Sequence, residues 1–367
     1  MKKSLIALAV ASAVSAPAFA ATANVDVYGR MAFSVDYVDT NDLVGDGADV
    51  VTGRDNVSRF GIKGTEDLGN GLAAIWQVET QLNTATTTGG TSLRNTFIGL
   101  SSKSLGTVIL GRHDTPYKLA TGSLDIFSDT AGDYNTIIGT TKAGTIYDNR
   151  APQMIAYMSP TWTGFSFAAA YAEVKSNEND PAQVGGAAAN DNIQAYSVMG
   201  KYVNGPIFAS LAYENVAGDA GFGGSTATEG TEAMKAGLGV KLGALQLGAV
   251  YEMIDSDAAH SANERDAYYV NAMYSIGAFD LKAAYGMAED GEGNVVGSTA
   301  LLNNSSTEMD YYAVGVDYNL SKRTKLFGLY TTLANGANTN RTQSTTGYTG
   351  QYGQDVEILS LGAVHTF

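Results

Sequence analysis

The chain has no cysteine, three histidines, six prolines, two tryptophans and few charges, 16% of 367 residues. Without cysteine, disulfides do not hold an exported protein of this size together, and thiolate chemistry is excluded. His113, His260 and His365 lie far apart, without the histidine–carboxylate spacing of a metal site. No G-x-S-x-G elbow and no H-E-x-x-H pair occurs, so no enzyme activity, metal or cofactor is expected. Runs approaching the roughly 20 apolar residues of a spanning helix are also missing.

The N-terminus sets the compartment. Met1, Lys2 and Lys3 precede an apolar stretch from Leu5 to Val14, and Ala18-Phe19-Ala20 supplies a small-residue cleavage site. This reads as a secretory leader over 1–20, too short in its apolar part to span a bilayer. Loss of Lys2 and Lys3 leaves 20 basic residues of the 22 against 37 acidic ones, a net −17. Such an excess of acid excludes nucleic acid as a partner. It suits a surface that concentrates cations, which implies a modest cation preference for any pore.

The 43 glycines and 21 tyrosines are spread through stretches that alternate with period two. Phe279, Leu281, Ala283, Tyr285 and Met287 share one parity, with Asp280, Lys282, Ala284 and Gly286 on the other. Tyr312, Val314, Val316 and Tyr318 alternate with Ala313, Gly315 and Asp317, and Leu245, Leu247, Ala249, Tyr251 and Met253 with Gln246, Gly248, Val250 and Glu252. Alternation puts the two sets on opposite faces of a strand. Seven short connections, at 68–71, 102–106, 161–164, 204–206, 242–244, 276–278 and 320–324, alternate with eight long polar ones. Fifteen connections join about sixteen strands of membrane-spanning length. With no linker or composition break between 21 and 367, the pattern predicts an all-β fold of one domain. It is a transmembrane antiparallel up-and-down β-barrel, too wide for side chains to fill.

One connection differs from the rest. The stretch 114–149 is the longest and carries Tyr117, Leu119, Leu124, Ile126, Phe127, Ile137 and Ile138 together with Asp125, Asp129 and Asp133. It is too apolar for a solvated outer loop, so it is expected to fold into the pore and present its acids to the lumen. Arg30, Arg59, Lys63, Arg94, Arg112 and Arg150 fall on inward parity wherever the pattern is readable, facing those acids as a basic wall. Acids across from bases at a narrow point filter ions and orient dipolar solutes.

Several stretches together resemble the general diffusion porins of Gram-negative bacteria. They are Val25-Asp26-Val27-Tyr28-Gly29-Arg30, the run from Ser58 to Leu72, Arg94-Asn95-Thr96-Phe97-Ile98-Gly99-Leu100, Gly106 to Arg112, Tyr157 to Phe165, and Gly362 to Phe367. The resemblance covers the whole chain. It implies a homotrimer in the outer membrane, in contact with lipid and lipopolysaccharide, with sixteen strands and a third loop in the pore. It also implies passive flux of ions and small hydrophilic solutes, and a terminal Phe367 read by the barrel-assembly machinery. Arg30, Arg59, Lys63, Arg94 and Arg112 match the family's basic wall. The loop sequence Leu124-Asp125-Ile126-Phe127-Ser128-Asp129 departs from the usual acidic motif, and Met158 stands where a basic residue is common. A substrate-selective channel for a sugar or an anion is the alternative.

Overall fold

Strand after strand sends apolar side chains outward and keeps the inner parity small, polar or charged. The computed structural model describes residues 24–40, 50–85, 89–140, 147–175, 192–217, 231–256, 265–289, 308–337 and 353–367. The leader expected at 1–20 lies outside them. In chain order the strands are β1 (Asn24–Thr40), β2 (Val50–Asp55), β3 (Arg59–Gly69), β4 (Leu72–Leu82), β5 (Thr91–Leu93), β6 (Thr96–Ser102), β7 (Gly106–Asp114), β8 (Arg150–Met158) and β9 (Phe165–Lys175). They continue as β10 (Asn192–Asn204), β11 (Ile207–Ala217), β12 (Thr231–Leu242), β13 (Leu245–Ser256), β14 (Arg265–Ile276), β15 (Phe279–Ala288), β16 (Met309–Asn319), β17 (Thr324–Asn335) and β18 (Val356–Thr366). β2 and β3 both pair with β1 as halves of one broken strand, and β5 and β6 both pair with β4. The eighteen segments therefore form sixteen spanning strands, each antiparallel to its neighbours.

β18 pairs with β1 and closes the sheet. Hydrocarbon offers backbone amides no partner, so closure removes an edge that lipid would not tolerate. The seam is finished by Phe367, whose backbone exchanges hydrogen bonds of 2.9 and 3.0 Å with Gly29. A Cβ on Gly29 would lie 2.4 Å from the Phe367 ring, whereas one on Gly53 would meet nothing within 4 Å. Gly29→Val is therefore expected to lower the temperature at which the folded barrel is lost in semi-native electrophoresis. Gly53→Val should leave it unchanged.

Outward positions carry the apolar set read from the sequence. Leu247, Tyr251 and Met253 on β13, Phe279, Leu281 and Tyr285 on β15, and Tyr312, Val314, Val316 and Tyr318 on β16 are exposed on the barrel's outer face. Between them Val250, Glu252, Ala284, Ala313 and Asp317 are buried. Outward rings meet across neighbouring strands, as in Tyr251–Tyr268 (5.2 Å) and Phe279–Tyr318 (4.7 Å between centroids). They form the aromatic girdles of a membrane barrel. The short connections fall where the turn residues stood, and Gly69, Asn70 and Gly71 turn β3 into β4 with positive φ throughout.

The connection between β7 and β8 packs against the inner face of the barrel. Thr115 caps helix α1 (Pro116–Thr121), with Pro116 in its first turn. The backbone N–H of Tyr117 donates to Ser197 on β10 (2.9 Å), and Asn271 on β14 donates to the Leu124 carbonyl (2.7 Å). Tyr311 on β16 donates to the Gly132 carbonyl. Leu124, Phe127, Ile137 and Ile138 are buried with Tyr269, Tyr311 and Leu329 of the wall. Glycines make the room: a Cβ on Gly237 or Gly239 would sit 2.9 Å from Leu124, and one on Gly315 would sit 2.9 Å from Phe127.

Candidate pore constriction

Arg30 on β1 and Arg59 at the start of β3 are register partners. Arg59 occupies that place because the wall strand breaks at Asn56–Ser58, where Val57 has φ 59° and Ser58 Oγ bonds the Ala32 backbone. Like charges directly opposite on a ladder repel. The loop supplies the counter-charge: Asp129 Oδ2 lies 2.9 Å from Arg59 Nη1 and also pairs with Arg30 Nη1. Arg94, in the break between β5 and β6, places Nε 2.7 Å from Glu79 Oε1, and Tyr28 donates to Glu79 Oε2 at 2.9 Å. Arg150 Nε and Lys118 Nζ flank Asp114 Oδ1 at 2.9 and 3.8 Å. Lys63 Nζ sits 5.4 Å from the Tyr28 ring centroid.

Of the three loop acids, only Asp129 meets this wall. Asp125 accepts from the N–H groups of Phe127 (2.9 Å) and Tyr134 (3.3 Å), and Asp133 from those of Asp129 and Asn135, both at 2.9 Å. Asp125 and Asp133 therefore staple the loop from within, holding Asp129 at φ 60° in the left-handed region. Burial disfavours charge on Asp129, but Arg59 and Arg30 outweigh it and hold its carboxyl below the ordinary range. Burial, with the Asp133 charge, lifts Asp125 well above its usual value. Burial also pushes Asp133 up to about 6 against its two backbone donors.

Arg112 has Thr96 as its register partner on β6 and follows Gly111, whose φ is 141° and where the β7–β8 ladder shifts, so the parity of Val108 and Leu110 does not carry past it. Among the described residues it makes no ion pair. Glu79 was overlooked in the sequence. Its signal was the inward parity of Gln77, Glu79 and Gln81 against Trp76 and the outward Val78.

A pH effect follows from the loop. Asp133 binds its proton more tightly folded than unfolded, so its contribution to loop stability is full below the unfolded value and fades as pH rises through about 6. The same rise adds negative charge beside Asp129. The reversal potential is expected to move toward cations across that range, and Asp133→Asn should flatten its titration.

A closed sixteen-strand barrel with an apolar outer wall, girdles and a charged, loop-crossed lumen defines a channel-type outer-membrane protein. The chain belongs to the Gram-negative porin family, whose model matches residues 7–363. It is 30% identical to an outer membrane porin protein of Bordetella pertussis, over 89% of this chain and 93% of that protein. It is also 30% identical to outer membrane porin protein 32 of Delftia acidovorans, over 100% of both. The anion-selective porin from Comamonas acidovorans has the same fold, with TM-score 0.73 and 25% identity over 94% of this chain and 100% of that one. The protein is thus an outer-membrane porin of a Gram-negative bacterium, serving passive diffusion.

Proposed function

We propose a general diffusion pore for ions and small hydrophilic solutes, narrowed where loop 115–149 approaches the β1–β3 wall. The observation that carries this reading is the bridge from Asp129 to Arg30 and Arg59 across the lumen. Around it six basic side chains, Arg30, Arg59, Lys63, Arg94, Lys118 and Arg150, stand against four carboxylates, Asp114, Asp129, Glu79 and Asp26, the register partner of Lys63. Asp125 and Asp133 are spent inside the loop. Ion selection is set by the field at the narrow point, so this local excess outweighs the acidic total and favours anions. The reversal potential in a potassium chloride gradient tests it. An anion-directed sign is expected; a cation-directed sign would overturn the assignment. Equal liposome swelling with sugars of equal size is expected, and strong preference among them would favour the substrate-selective alternative.

The same reading takes residues 1–20 as a removed leader, 21–367 as one barrel domain without enzymatic activity, and Phe367 as the assembly signal. It includes contact with outer-membrane lipid and lipopolysaccharide. A homotrimer is supported by the outer wall: from β4 to β8 its most exposed large apolar side chains are aliphatic, among them Val78, Ile98, Leu100, Leu110 and Ile155, with Trp76 and Tyr157 as partly covered rings on the same parity. A wall with few interfacial rings suits protein better than a lipid boundary.

A further inference from the structure

The side of the loop turned away from Asp129 meets a buried charged cluster on β11, β12 and β13. Lys235 on β12 pairs with Asp148 of the loop, with both side chains at most 1% exposed. Its ammonium also lies 4.0 Å from the Tyr117 ring centroid. Lys235 is the register partner of Glu252 on β13. Glu252 Oε1 accepts from Tyr117 OH (2.5 Å) and Oε2 from the Gly139 N–H (2.7 Å), both in the loop. Asp148 Oδ2 accepts from Tyr134 OH (2.7 Å) and Asn135 (2.9 Å). On β11, Glu214 is buried and its Oε2 has no hydrogen-bond partner. On β14, Arg265 is committed to the loop, donating to the Ile137 carbonyl (2.5 Å) and Thr140 Oγ1 (3.2 Å).

Three carboxyls, Glu214, Glu252 and Asp148, thus share the Lys235 ammonium in a buried site, with Lys118 Nζ donating to the Asp148 backbone carbonyl (2.9 Å). Dehydrating an unmatched carboxylate costs several kcal/mol, so the surplus is relieved by taking up a proton or by letting water in. Water enters only if the loop leaves the wall. We propose that Glu214, Lys235, Glu252 and Asp148 form a proton-dependent latch that seats the constriction loop, with Lys235 as its positioning residue. The seated state binds the proton and the released state does not, so the latch is firm in acid and loosens as pH rises. This inference rests on the reading that the loop narrows the pore.

The absence of cysteine makes the test direct. Spin labels at Ser128→Cys, exposed on the loop, and Thr65→Cys, on the inward parity of β3, report loop position by electron–electron dipolar distance. Asp133→Asn is included as background, because Asp133 titrates near 6. Between pH 5 and 9 the distance distribution is expected to broaden and shift. Glu214→Gln, which keeps the shape but cannot ionise, should hold it at the acid-side form throughout. Lys235→Gln should move the transition to lower pH, with the barrel intact by semi-native electrophoresis. A pH-invariant distance, or a Glu214→Gln profile identical to its parent, overturns the latch. Single-channel conductance is recorded on the same proteins. Movement of the labels without a conductance change would leave the latch standing and defeat the constriction reading instead.

Discussion

Replacing Arg59 with glutamate is expected to swing the reversal potential strongly toward cations. Arg59 shares Asp129 with Arg30 at the narrow point. Two unit charges about 4 Å apart interact by roughly 1 kcal/mol in bulk water. A two-unit change in the wall should therefore alter the anion-to-cation permeability ratio by roughly tenfold or more at low salt. The shift should shrink in molar salt, where the screening length falls to about 3 Å. Arg59→Gln should give an intermediate value. No shift in a folded Arg59→Glu barrel would mean that this side chain lies off the permeation path.

The second large effect is steric. Gly237→Val and Gly315→Val put methyl groups where Leu124, Thr121 and Phe127 now sit, at 2.9 Å from a Cβ alone. Overpacking of this kind costs typically 1–3 kcal/mol, and the loop is the part free to yield, since the strands are locked in a closed ladder. The loop is expected to shift toward β1 and β3, and single-channel conductance to fall in each variant. Unchanged conductance in a folded barrel would show that the glycines do not seat the loop.

The barrel was legible because lipid and water impose one rule on every strand. Tyr312, Val314, Val316 and Tyr318 could be assigned outward from parity alone, and the turns at Gly69-Asn70-Gly71 and Gly243-Ala244 announce themselves by residue type. The constriction was legible in part. Arg30 and Arg59 meet the loop acid Asp129 and Arg94 meets Glu79, but the breaks that aim Arg59 and Arg94 are irregularities, which period-two counting does not register. Arg112 could not be assigned by parity, because Val108-Ile109-Leu110 is apolar on both faces and the ladder shifts after Gly111. Ile109 faces inward yet is buried in the cluster beneath the loop, with Tyr117. Asp125, Asp129 and Asp133 are equally spaced in sequence, and only the folded turn shows which of them is the tip. The glycines opposite Leu124 and Phe127 looked like weak points in strands, not seats.

The loop's place in the conducting path is tested most directly with a single cysteine at Ser128, beside Asp129 and exposed. A bulky thiol reagent is added to open Ser128→Cys channels in a planar bilayer. A loop lying across the lumen of a homotrimer predicts that current falls in three equal steps as each pore is modified. Complete labelling with no loss of current would place residue 128 away from the flow and contradict the constriction.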